Sequence, residues 1–152
     1  MKKLEKWKLK ELIYDEEESS YIDFKAKQYS KDKNEELIKD IMSMANSDVN
    51  SDKFIVIGVK FKAGQKNEFI GINDEIRDDA DYQQLIHNNI EPIIEFSYLS
   101  DEIDGKKVAY FYIYSNNIDR PYMMKKDNNK LKMGDAFKRV GSSQSKLTRR
   151  DY

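Results

Sequence analysis

Phe54-Ile55-Val56-Ile57-Gly58-Val59 is apolar without alternation, the pattern of a strand covered on both faces, which places it centrally in a sheet and makes it the organiser of the core. Upstream, Tyr21-Ile22-Asp23-Phe24-Lys25 alternates. That sets Ile22 and Phe24 on one face and Asp23 and Lys25 on the other, as in a half-buried strand. Between these two strands, Leu37, Ile38, Ile41, Met42, Met44 and Ala45 trace the apolar face of a helix. Its start is expected near Asp32, with Glu35 three residues on as in a capping box.

Downstream of the central strand, Gly64 serves a turn before Phe69-Ile70-Gly71-Ile72, and a helix over 79–89 buries Tyr82, Leu85, Ile86 and Ile90 before Pro92 prevents its continuation. Ile94, Phe96 and Tyr98 alternate with Glu95 and Ser97. Asp104-Gly105 is a turn signal, and Val108 to Tyr114 is rich in strand formers, so these segments predict a hairpin. Pro121 to Lys126 reads as an edge strand, Asp127-Asn128-Asn129 as a turn, and Asp135 to Val140 as a strand ending at Gly141. Leu147 to Tyr152 resembles the first turn of a helix capped by Thr148. Residues 1–14 stand apart as an N-terminal appendage. Leu4, Trp7, Leu9, Leu12 and Ile13 spread widely around a helix, while Lys6 to Lys10 alternates as a strand would, which leaves both forms open. The order of elements gives an α+β fold, a mixed β-sheet with helices packed on it, with the main domain over 15–152.

The 152 residues suit one domain. With 39% hydrophobic and 36% charged residues the chain is polar, yet ten Tyr and seven Phe supply the apolar payload that disordered chains lack. Absence of cysteine excludes a disulfide framework and a thiolate zinc site and suits a reducing compartment. Lys and Glu interrupt every apolar stretch from Met1 to Ile13, and no apolar run approaches the ~20 residues that span a bilayer, so a cytoplasmic protein with no membrane partner is expected. A net charge of -1 argues against a surface that coats nucleic acid uniformly. The charge is segregated, however: from Asn116 onward ten Lys and Arg face four Asp and Glu. The carboxyl third is basic, which suits either a solubilising surface or one that grips phosphate.

An ordered set of local features resembles the Schlafen AlbA-like family, also called the divergent AAA-type domain. Glu18-Ser19-Ser20-Tyr21-Ile22-Asp23-Phe24-Lys25 is similar to its E-x-x-x-x-E-F-K pattern, with Asp for the second Glu. Ala45-Asn46-Ser47, Ile57-Gly58-Val59, Gly71-Ile72, Ile90-Glu91-Pro92, Gly105-Lys106-Lys107-Val108, Pro121 and Arg139-Val140-Gly141-Ser142-Ser143 resemble its later landmarks in the same order. The likeness covers about Leu12 to the end. It implies a nucleic-acid-binding fold, in some relatives a metal-dependent ribonuclease acting on structured RNA, commonly preceding a winged helix or another effector domain, and pairing as a homodimer. Two departures stand out. Asp48-Val49-Asn50-Ser51-Asp52 replaces the family's paired glycines, and Lys60, Phe61 and Lys62 follow Ile57-Gly58-Val59 where nuclease members carry an acid.

Metal-assisted phosphodiester cleavage needs oxygen ligands converging on divalent ions. Glu18 and Asp23 are the candidate ligands for Mg or Mn, Lys25 beside them is a seat for a phosphate oxygen, and Asp48 or Asp52 could replace the missing third acid. An ordinary salt-bridged solvent face is the bland alternative. For binding, Lys138, Arg139, Ser142, Ser143, Lys146, Arg149 and Arg150 offer cations, hydroxyls and backbone amides that hold phosphates without reading bases. Tyr110, Tyr112 and Tyr114 share a strand face, for base stacking or for core packing. His87 stands without a motif about it, and no G-x-x-x-x-G-K-[ST] loop is present, which argues against Ser-His-Asp chemistry and ATP hydrolysis. Three functions follow: a module binding DNA or RNA, part of a bacterial transcriptional regulator or defence protein; a metal-dependent endoribonuclease; and a protein-interaction module with a vestigial groove.

Overall fold

The structure is a computed structural model and describes residues 2–148. Its sheet is built on β2 (Lys53–Ile57), every residue of which is buried. β1 (Ile22–Lys25) pairs with it in parallel, Ile22 opposite Phe54. Parallel neighbours need a crossover, and α2 (Asn34–Ala45) supplies it. On the other side β7 (Lys106–Ile113) runs antiparallel to β2, and β6 (Phe96–Ile103) antiparallel to β7, giving the order β1-β2-β7-β6. The β6–β7 turn is Asp104-Gly105, both at positive φ (51° and 77°), the backbone that a two-residue hairpin requires. The fold is α+β with a mixed sheet, as the element order predicts.

Because β2 is central, alternate residues feed two separate cores. Ile55 and Ile57, with Phe111 and Ile113, pack against α2 and α3 (Asp79–Asn89). Phe54 and Val56, with Tyr110 and Tyr112, pack against Leu9, Leu12 and Ile13 of α1 (Lys6–Asp15). Residues 1–14, read as an appendage, therefore supply a helix that forms the second layer. One side chain blurs its stripe in the sequence: Trp7 is exposed on the far side. Tyr110 and Tyr112 are core residues, so of the two uses open to that tyrosine face the structure selects packing.

Two helix ends also differ from the sequence reading. Asp32 does not cap α2; it accepts a hydrogen bond from the Ser30 hydroxyl in a short 3-10 turn, and the helix begins at Asn34. Leu147 continues no helix, its amide donating to the Ala136 carbonyl at 2.8 Å, and the rest of the expected terminal turn, residues 149–152, lies outside the described residues.

Small strands complete the domain. β3 (Val59–Lys60) pairs with β4 (Glu68–Phe69), and β5 (Ile90–Glu91) with β8 (Met123–Met124). β9 (Phe137–Val140) forms a hairpin with β10 (Ser143–Lys146), a strand unforeseen in the sequence, and β9 lies against α2. Gly58 sits at φ +100° between β2 and β3, its carbonyl accepting from the amides of Ile70 and Gly71 at 2.9 Å. A Cβ there would lie 3.2 Å from Ile72 Cγ1 and 3.3 Å from the Gly71 carbonyl carbon, which is the physical content of the I-G-V landmark.

Candidate functional site

β1 is an edge strand, and its register puts Asp23 opposite Ile55 and Lys25 opposite Ile57, so both charged side chains share the sheet face that α2 covers. They are not a solvent face: Asp23 is only 7% exposed. Lys25 Nζ lies 3.8 Å from Asp23 Oδ2, 3.7 Å from Glu36 Oε1 and 3.6 Å from Asp40 Oδ2, the last two on successive turns of α2. Burial works against the lysine charge, but Asp40, Asp23 and Glu36 outweigh it and hold the ammonium above the usual lysine range. Burial also raises Asp40, against the pull of Lys25 and of the Tyr29 hydroxyl that donates to it at 2.6 Å. Glu36 and Asp40 escaped the sequence reading, though their spacing of four residues on a helix that follows Lys25 was the signal that could have found them.

Glu18 approaches from the preceding loop. Its carboxylate accepts from the Phe24 amide at 3.5 Å. Its pKa is pushed up to about 7, first by burial and then by a hydrogen bond to, and repulsion from, the Asp23 carboxylate, with Phe24 and Arg139 pulling the other way. Arg139 closes the group from β9. Its Nε donates to the Ser19 carbonyl at 2.5 Å, and its Nη2 to the Ile22 carbonyl at 3.2 Å and to Asp23 Oδ1 at 3.5 Å. At 6% exposure the guanidinium is buried and committed, so it fastens the 19–23 segment to the hairpin and is not presented to a phosphate.

The structure brings together Glu18, Asp23, Lys25 and Arg139 and leaves both proposed replacement acids elsewhere. Asp48 pairs with Lys138 at 2.7 Å, and Asp52 accepts from the Tyr112 hydroxyl at 2.7 Å and the Ser115 amide at 3.0 Å. Among the described residues no group of three His, Cys, Asp or Glu is placed to hold a metal ion. Asp23, Glu36 and Asp40 converge on the Lys25 ammonium, while Glu18 reaches only Asp23 among them. With that cation already among them, Asp23, Glu36 and Asp40 do not suit a divalent ion.

The remaining binding candidates divide by availability. Lys138 is paired with Asp48, and Lys146 with Asp135 at 3.1 Å. Ser142 and Ser143 are exposed at the β9–β10 turn, where the Gly141 amide donates to the Ser20 hydroxyl at 2.7 Å. Arg149 and Arg150 lie outside the described residues. By contrast Lys125, Lys126, Lys130 and Lys132 are all exposed on the 125–132 loop, and among the described residues none has a carboxylate at ion-pair distance, Lys132 alone being coupled to one, Asp135. Asn46 of the Ala45-Asn46-Ser47 landmark is structural: its Nδ2 donates to the carbonyls of Tyr122 and Phe137 at 2.9 Å, and its Oδ1 accepts from the Tyr122 amide at 2.7 Å. Among the described residues no helix is long and apolar enough to cross a membrane.

No curated protein matches the chain. Among solved structures, it is similar to the N-terminal domain of a RecG-related protein of Nitrosomonas europaea, named for an ATP-dependent DNA helicase, with 18% identity, a TM-score of 0.55, and coverage of 88% of this chain and 86% of that one. The DIP2311 protein of Corynebacterium diphtheriae is similar at 17% identity and a TM-score of 0.54 over 86% of this chain, which spans only 22% of that protein. At these identities the likeness establishes the fold. The Schlafen, AlbA_2 family model matches residues 18–148, from the first acid of the cluster past the β9–β10 hairpin, and the chain belongs to that family.

Proposed function

We propose that this domain binds nucleic acid through its phosphate backbone, with the 125–132 loop as the principal contact. The observation that carries this reading is the cluster of four exposed lysines, Lys125, Lys126, Lys130 and Lys132, none at ion-pair distance from a carboxylate among the described residues and only Lys132 coupled to one, Asp135. Ammonium groups outside ion pairs remain available to phosphate and release counterions when they bind it. The loop is anchored at its start, the Lys125 amide donating to the Asn89 carbonyl at 2.9 Å. Family membership supports the same reading. The acidic cluster around Lys25 serves to hold α2, β1 and the β9–β10 hairpin together.

Fluorescence anisotropy with labelled duplex DNA and structured RNA across a salt series tests the proposal. Four phosphate contacts predict a slope of log affinity against log salt of about -3 to -4 on duplex. Replacing all four lysines with Gln should flatten most of that slope and leave the melting temperature unchanged. Binding that is absent at low salt, or indifferent to the quadruple variant, would sink the proposal.

A further inference from the structure

The 125–132 loop also forms one wall of a cleft of about 410 Å³ against α3 and the turn before α2. Tyr82 and Leu85 line it with aromatic and aliphatic surface. Three cations from three distant segments, Lys31, Arg77 and Lys126, stand around it, and among the described residues none lies at ion-pair distance from a carboxylate. Asp81 is the one acid in the lining. The Nε of Arg77 is buried without a hydrogen-bond acceptor among the described residues, a donor left unspent. Asn88 and Asn128 add amide groups able to donate and accept at once. A lining of mixed polarity with an aromatic and an aliphatic side chain, amide edges and three cations outside ion pairs form a chemistry that matches one molecular unit: a flat heteroaromatic base carrying a phosphate. The volume suits one such unit.

We propose that this cleft holds a single nucleotide, its base against Tyr82 and Leu85, its phosphate among Lys31, Arg77 and Lys126. This rests on the nucleic-acid reading and deepens it, since the backbone held by the 125–132 loop would deliver one unpaired nucleotide into the adjoining cleft. A free mononucleotide offers the same chemistry.

Amide NMR of the full chain, titrated separately with nucleoside monophosphates, inorganic phosphate, a short single-stranded RNA and its abasic counterpart, tests the assignment. Nucleoside monophosphates should shift Lys31, Leu85, Asn88 and Asn128 saturably, and Lys31→Gln, an exposed substitution that spares the fold, should weaken this about tenfold. Arg77→Gln should weaken it further. Tighter binding of the RNA at the same residues, lost with the abasic strand, identifies a strand nucleotide; equal affinity for the mononucleotide identifies the free form. Shifts of the same size from inorganic phosphate would overturn base recognition. A silent cleft alongside RNA binding that still depends on the loop lysines would overturn this inference alone. Saturation by mononucleotides with no strand binding would overturn the proposed function and keep the cleft as a nucleotide site.

Discussion

At the scale of single residues the domain spends its charged groups on structure where its sequence motifs suggest chemistry. Glu18 holds its proton to about pH 7, against an ordinary value of 4.5, so between those values the folded chain carries more protons than the unfolded one. Stability should therefore fall as pH rises across that window. Discounted for the solvent that reaches this partly exposed side chain, the loss is about 1 kcal/mol. Urea denaturation at a series of pH values should show it in the parent protein and not in Glu18→Gln. Arg139→Ala strips partners from two carbonyls and leaves Asp23 buried without its guanidinium. It should cost about 3 kcal/mol, read from the urea midpoint. Neither group's role was legible from the motif alone. The R-x-G-S-[ST] landmark marks Arg139 correctly as special, but only the docking of the hairpin onto the 19–23 segment turns its guanidinium inward.

At the scale of elements, α1 decides whether the sheet has a second core. Asn67 secures it, its Nδ2 donating to the carbonyls of Ile13 at 3.1 Å and Glu16 at 2.9 Å while its Oδ1 accepts from the Lys62 amide at 3.1 Å. Leu12→Ala empties a buried position on the helix face and should cost about 3 kcal/mol, measured by thermal or urea unfolding. The β-hairpin of β6 and β7 and the helix α3 were legible because each carries its own punctuation: Asp104-Gly105 for one, Pro92 beyond the end for the other. The start of α2 was misplaced because Asp32 found a nearer donor in Ser30, and a capping-box spacing cannot show which partner an aspartate takes. β10 was missed because Ser143 to Lys146 carries no apolar alternation, and its strand form comes from pairing with β9.

At the scale of the whole molecule, the family model begins at residue 18, yet the layered structure needs what precedes it. Removing residues 1–17 would uncover Phe54, Val56, Tyr110 and Tyr112 together, an apolar patch large enough to drive association. The shortened chain should aggregate or unfold without cooperativity, as sedimentation and circular dichroism would show. The sequence by itself determined the sheet's central strand, its principal hairpin, both helices that cover one face and the basic bias of the carboxyl third, because apolar periodicity and turn chemistry are local properties that survive without knowledge of neighbours. Tertiary structure alone decided which charges are free. Lys25, Arg139, Lys138 and Lys146 look as available in the sequence as Lys125, Lys126 and Lys130, and they differ in whether a carboxylate or carbonyl from another segment reaches them. The same holds for the cleft, whose three cations are scattered over nearly a hundred residues and meet only when α3, the turn before α2 and the 125–132 loop converge.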